Sequence, residues 1–314
     1  RLVDKKNKTR GRAKKIVNSI FQSMGDMMAK NSDVSLLMAK ISKLPGELFG
    51  GKTQAEVTER IDEAGRSFKE RTMIVNSAIN NKAKELFGKK WNKLMSTDYN
   101  QKSIDIISET EAIKKAEVAY EQNPTEKNKN KLDDEIAKRT YTLSPNDLYY
   151  LYNQYKDPLN HAGLQSTFDT DQDGLVKIMN EITSTLESEK YKNLKAFADW
   201  QVNILYPSLY QYYNQAYKDI YRIDMPYNVN YAGMVYRDVD QKDADPGINL
   251  LAGMKPQYHN VVSANSTKMR QDNKIAIKPT DGTNALFTYV RDMEYFAAFA
   301  RPISDINKLF TVFV

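Results

Sequence analysis

The residues best suited to chemistry lie in FDTDQDGLV, Phe168–Val176. Asp169, Asp171 and Asp173 alternate, Gly174 follows, and Val176 stands two residues further on. These types and spacings match positions 1, 3, 5, 6 and 8 of a calcium-binding EF-hand loop. There, carboxylates converge on a hard cation and glycine permits the sharp turn. That loop also needs a bidentate acid at position 12, where this chain has Asn180, with Glu181 one residue late. The three aspartates are therefore candidate metal ligands with an incomplete last position. The competing reading is an acidic turn that caps a helix beginning near Leu175 by charge–dipole attraction.

Other reactive types are sparse. His161 and His259 stand alone, with no partner at metal-ligand spacing, and no pair of acids stands out for acid–base work. There is no phosphate-cradling glycine loop and no nucleophile elbow. The chain has no cysteine, which excludes disulfides, thiolate metal sites and thiol nucleophiles. No cofactor is expected. The net charge is +6, and a basic run opens the sequence: Lys5, Lys6, Lys8, Arg10, Arg12, Lys14 and Lys15 against the single acid Asp4. Such an arm could follow a phosphate backbone or an acidic partner with salt-sensitive affinity, or it is a solvated terminus. The 20 tyrosines crowd Tyr141–Tyr155 and Tyr191–Tyr221. Tyrosine rings at helical spacing suit packing, and they would also suit a stacking surface for bases or sugars.

These residues must be positioned by helices. With 314 residues, 41% hydrophobic and 27% charged, apolar material is thin for the length, which favours an all-α, elongated assembly with narrow buried seams. Ile16 to Met28 and Val34 to Ile41 recur at helical spacing. Thr53 and Glu56 have capping-box spacing, and Val57, Ile61, Phe68, Met73, Ile79 and Leu86 fit one face of a long helix ending at Gly88. One further turn is expected around Trp91. Ser108 and Glu111 form a second capping-box candidate before a helical hairpin, Ile113–Gln122 and Asn128–Arg139, with Pro124 in the first turn of the returning helix. Ser144-Pro145 opens a helix as N-cap and N1, and another covers about Leu175–Lys190. Along Leu194–Ile223, Phe197, Trp200, Ile204, Leu205, Leu209, Tyr213, Tyr217 and Ile220 fit an apolar face that Pro207 should kink. Residues 240–282 read as loops, with Ile275–Ile277 as the best strand segment, and final helices cover about Asn284–Ala300 and Asp305 onward. No apolar run reaches about 18 residues, so no transmembrane helix is expected.

Three stretches carry a family resemblance. LSPNDLYYLYNQYKDPLNHAGLQSTF at Leu143–Phe168, MPYNVNYAGMVYRD at Met225–Asp238 and LFTYVRDMEYFAAFARPISDINKLF at Leu286–Phe310 follow one another in an order that resembles the helical spacer regions of polyvalent virion proteins of tailed phages. The usual proline after the aromatic is missing around Tyr231-Ala232-Gly233. The Asn-, Lys- and Tyr-rich composition is similar to that of crAss-like and related phages. The resemblance implies a cargo protein inside the virion, held in the capsid, portal or tail lumen beside other virion proteins. Such a protein is ejected into the host with the DNA, which the basic arm would touch.

The regions on this reading are a basic flexible arm (1–15), a long-helix region (16–100), a helical hairpin (101–142), a tyrosine-rich helical region (143–239) and a loop-rich linker with C-terminal helices (240–314). The chain begins with arginine and ends on the apolar run Phe310–Val314, and so reads as an ordered, non-enzymatic segment of a longer polypeptide. Two other functions stay open: a spacer of a virion-packaged RNA polymerase or other delivered enzyme, and a tyrosine-rich module that binds glycan or nucleic acid.

Overall fold

The computed structural model describes residues 50–227, 231 and 274–313. The basic arm, the helices expected over 16–41 and most of the expected loop region lie outside these residues. The described part is all-α apart from one two-stranded ribbon.

Helix α1 covers Gly50–Phe87. Its buried face runs through Ile61, Ala64, Val75, Ile79 and Ala83, with Phe68 half-buried. Met73, expected on that face, is 67% exposed. At 100° per residue it sits about 120° round the helix from Ile61, and Val75 occupies the seam instead. Gly88 stops the helix as its sequence suggests. It adopts φ +75°, and its N–H bonds to the Lys84 carbonyl at 2.9 Å. The short helix α2 (Trp91–Lys93) passes into a π turn, Leu94–Asp98, and this pair buries Trp91 and Met95.

Strands β1 (Ile104–Ile107) and β2 (Thr140–Leu143) pair antiparallel, with Ile104 opposite Leu143 and Ile107 opposite Thr140. Between them stands the expected hairpin, α3 (Glu111–Gln122) and α4 (Glu126–Lys138). Its caps differ from expectation. Thr110, not Ser108, caps α3 by accepting from the Ile113 N–H, and Ser108 is buried. Thr125 caps α4, which leaves Pro124 one residue outside the helix. Threonine at both sites supplies the oxygen an exposed first turn needs.

Helix α5 (Pro145–Tyr155) has the expected serine cap, extended to a full capping box: the Asp147 N–H donates to Ser144 Oγ at 3.1 Å, and the Ser144 N–H to Asp147 Oδ2 at 2.9 Å. It is buried on nearly every side, including Asn146, Asn153 and Gln154. A 3-10 turn at Pro158–Asn160 leads to α6 (His161–Phe168), then α7 (Gln172–Glu187) and α8 (Lys192–Trp200). A second π turn, Gln201–Leu205, joins α8 to α9 (Tyr206–Tyr221). Pro207 does not break this run. The Tyr206 N–H reaches back five residues to the Gln201 carbonyl, so the chain is already widened where the proline ring would clash. Ile204 faces out at 58% exposure, because the π turn shifts the helical phase through that position.

Ile277 is the one bridge residue in the expected strand segment; its N–H points to the Gly163 carbonyl at 3.3 Å. Helix α10 covers Gly282–Phe313 and continues through Pro302, where two helices were expected. It runs antiparallel to α1: Arg60 pairs with Asp305 at 3.1 Å, and the Phe68 ring meets those of Tyr295 and Phe299.

The apolar residues do not stay in separate narrow seams. One cluster runs from Val75 and Ile79 of α1 through Leu148 and Leu151, Ile178 and Ile182, Phe197 and Leu209 to Met293 and Phe296 of α10. The described parts of the expected regions 16–100, 143–239 and 240–314 thus share a core. At its centre a Cβ on Gly282 would lie 2.3 Å from the Tyr149 ring. That ring is buried and cannot swing away, so Gly282→Ala is expected to cost about 2 kcal/mol, or roughly 4–8 °C in thermal unfolding. A melt unchanged to within a degree would contradict this packing.

Candidate functional site

The three aspartates are placed as separate supports. Asp169 ends α6 in the left-handed region (φ 46°), and its carboxylate pairs with Arg139 at the foot of the hairpin. Asp171 is the N-cap of α7 and accepts from the Gly174 N–H at 2.8 Å. Asp173 lies in the first turn of the same helix. The helix therefore begins at what would be position 4 of a calcium loop, and the chain coils away before a wrapping loop can form. Among the described residues no group of three histidine, cysteine or acidic side chains could hold a metal ion. The acidic-cap reading describes this turn. His161 stacks on Tyr155 and its Nε2 lies 2.8 Å from the Tyr155 carbonyl, while His259 lies outside the described residues. The basic-arm residues Lys5 to Lys15 do as well.

Tyrosine serves mainly as core. Tyr149, Tyr150, Tyr191, Tyr206, Tyr213 and Tyr289 are buried, and Tyr206 meets both Tyr231 and Tyr289 edge-on. Their hydroxyls build polar contacts inside the protein. Tyr149 donates to Gln201 Oε1, and Gln201 Nε2 donates to the Tyr206 oxygen. Burial pushes the Tyr149 hydroxyl well above its ordinary pKa, so it stays a neutral donor. The first π turn joins this centre through a chain of amides: Asn146 Nδ2 donates to the Met95 carbonyl at 2.7 Å and to Asn100 Oδ1 at 3.0 Å. Asn100 Nδ2 in turn donates to Asp281 Oδ2 at 2.9 Å. The other oxygen of Asp281 accepts from the Thr283 and Asn284 N–H groups and so caps α10.

A charged site lies where α1, α9 and α10 meet. The Glu294 side chain is fully buried, and its Oε1 is 3.5 Å from Arg71 and accepts from the Tyr213 hydroxyl at 3.0 Å. The Arg71 guanidinium also lies 4.0 Å over the Tyr212 ring. Burial raises the pKa of Glu294, and Arg71 with the Tyr213 bond pulls it partly back. Glu294 Oε2 and Arg71 Nε have no hydrogen-bond partner among the described residues. A carboxylate in such a position can hold a proton and donate it. Sequence spacing could not reveal it, because Arg71 and Glu294 are far apart in the chain and each looks like an ordinary helix-face charge.

A third cluster pins α5 to α8. Asp199 accepts from Tyr152 at 2.8 Å, Lys156 at 2.6 Å and Lys195 at 3.1 Å, and both amines lie over the Tyr152 ring. Burial alone would raise the Asp199 pKa, but the bonds from Lys156, Tyr152 and Lys195 outweigh it and hold the carboxyl below its usual value. Burial lowers Lys156. With both carboxylate oxygens engaged by donors from α5 and α8, Asp199 acts as a clamp.

These clusters join helices, and none opens a constellation of nucleophile, base and oxyanion donor. No protein-family model, no curated protein and no solved structure matches the chain. Among the described residues no helix is long and apolar enough to cross a membrane.

Proposed function

We propose that the chain is a helical segment of a tailed-phage cargo protein, held inside the virion among portal and tail-lumen proteins and ejected into the host with the DNA. One observation carries the reading: the three resembling stretches follow the family order, and they are also built into each other. Tyr149 of the first packs against Gly282 at the head of the helix that holds the third. Tyr231 of the second meets Tyr289 of the third. A spacer unit that keeps this order for structural reasons would show such mutual packing.

The energetic side of the reading changes with the shared core. A chain with narrow seams would separate into rods at low cost, whereas this core must be dismantled and rebuilt as a unit. The absence of cysteine means that no crosslink opposes unfolding. Passage through a narrow conduit therefore implies refolding on the far side.

Mass spectrometry of purified virions before and after DNA release tests the proposal. The expected result is presence in intact particles and depletion from emptied ones. Absence from intact particles, or full retention in emptied ones, would end it.

A further inference from the structure

A lysine-rich surface lies at the C-terminal end of α1. Between Asn81 and Lys93 the sequence NKAKELFGKKWNK holds five lysines and one acid. The structure sorts them. Lys82 pairs with Glu85, while Lys84, Lys89, Lys90 and Lys93 are exposed and make no ion pair among the described residues. The turn into α8 brings more positive charge to the same place. Asn193 Nδ2 donates to the Leu86 carbonyl at 2.7 Å, and the Tyr191 ring meets Tyr99, which meets Phe87. The exposed Lys190 and Lys192 flank Tyr191; Lys192 is paired with Glu189, and Lys190 has no acid partner among the described residues. Part of this charge answers the negative end of the α1 dipole, which accounts for one or two lysines in the last turn. It does not account for Lys89 and Lys90 in the turn after the Gly88 stop, for Lys93 on α2, or for Lys190 in the turn before α8.

We infer that the face formed by Lys84, Lys89, Lys90, Lys93 and Lys190 binds the phosphate backbone of nucleic acid without reading sequence. The apolar residues here turn inward, with Trp91 buried and Phe87 packed on Tyr99 and Phe197. Among the described residues this leaves no exposed aromatic at the patch to stack on bases and no greasy anchor to enter a lipid surface. What remains is a set of exposed point charges on the end of α1, on α2 and in the turns into α2 and α8, which fits a polymer carrying one charge per few ångströms. The inference is independent of the virion reading, because any phosphate polymer satisfies it.

The test is duplex DNA binding by the 314-residue chain across salt, compared with K89E/K90E/K93E. A control of equal charge change is K127E/K129E/K131E on the exposed face of the hairpin. The patch variant is expected to lose at least about 10-fold in affinity at low salt and to flatten the salt slope by about 2.7, that is 0.9 per lysine removed. The hairpin variant should lose less than about 2-fold. Equal losses in the two variants would reduce the effect to net charge and overturn the inference. Absence of DNA binding would overturn it too, as would binding to anionic vesicles alone. Acetylation footprinting of the unmodified protein gives a readout that does not depend on the variants folding. Lys89, Lys90 and Lys93 should be protected by the duplex, and labelling unchanged by DNA would count against the site.

Discussion

Replacing Arg71 with methionine is expected to lower stability by about 3 kcal/mol at pH 8 and by clearly less at pH 5. Methionine keeps much of the stem that lies against Tyr212 but removes the one cation paired with Glu294 among the described residues. That acid is fully buried, so with Tyr213 as its hydrogen-bond donor it must either remain charged without a cation or take up a proton. The direction with pH follows from Glu294, whose folded-state pKa lies above the ordinary 4.5. Below 4.5 the carboxyl is protonated in both folded and unfolded chains. As pH rises from 4.5 through the raised value, the unfolded chain ionises first and the folded state loses stability relative to it. Removing Arg71 raises the folded value further and widens that window. Urea unfolding at both pH values measures the effect. An equal loss at pH 5 and pH 8 would mean that Arg71 acts through packing alone. Glu294→Gln removes the charge, keeps an acceptor for Tyr213 and should stay within about 1 kcal/mol of the parent.

Phe197→Ala is expected to cost about 3–5 kcal/mol. The ring lies between Phe87 of α1, Tyr149 of α5 and Trp200 of its own helix, at centroid distances of 6.1, 6.0 and 5.7 Å. Three elements would face the cavity, and none can close it without moving the others. The comparison is Ile204→Ala, only seven residues on and on the same face by spacing. Because Ile204 is 58% exposed, its truncation should change stability by no more than about 0.5 kcal/mol. Denaturant melts of the two variants test whether the π turn sets the phase. A large loss at Ile204 would put that turn in the wrong place.

The contrast between these two positions shows where sequence reading succeeds and where it stops. Local signals named the long α1 with its Gly88 stop, the hairpin and the Ser144-Pro145 start, because each depends on residues within one or two turns. A π turn has no such signature, so Ile204 and Pro207 were both misread. The ribbon was missed for a different reason. Ile104–Ile107 and Thr140–Leu143 are four residues each, and every pairing spans the whole hairpin. Pro302 looked like a boundary, yet α10 runs through it, and the ion pair from Asp305 to Arg60 lies beyond the proline. By its letters Glu294 is an ordinary helix-face charge within about Asn284–Ala300. Its burial depends on Arg71 and Tyr213, which nothing near it announces. The aspartate trio was legible as an acidic turn, but whether such a turn wraps a cation or starts a helix depends on backbone geometry that the letters leave open.

The ribbon has a further meaning. A strand leaves the body, two helices go out and come back, and the second strand returns beside the first, with Ile107 facing Thr140. Antiparallel neighbours of that kind can be bridged by as few as two residues. Everything from Ser108 to Arg139 is therefore a detour whose exit and entrance nearly coincide. In design terms this is a socket: what is plugged in there can be shortened, exchanged or enlarged while the surrounding architecture still closes.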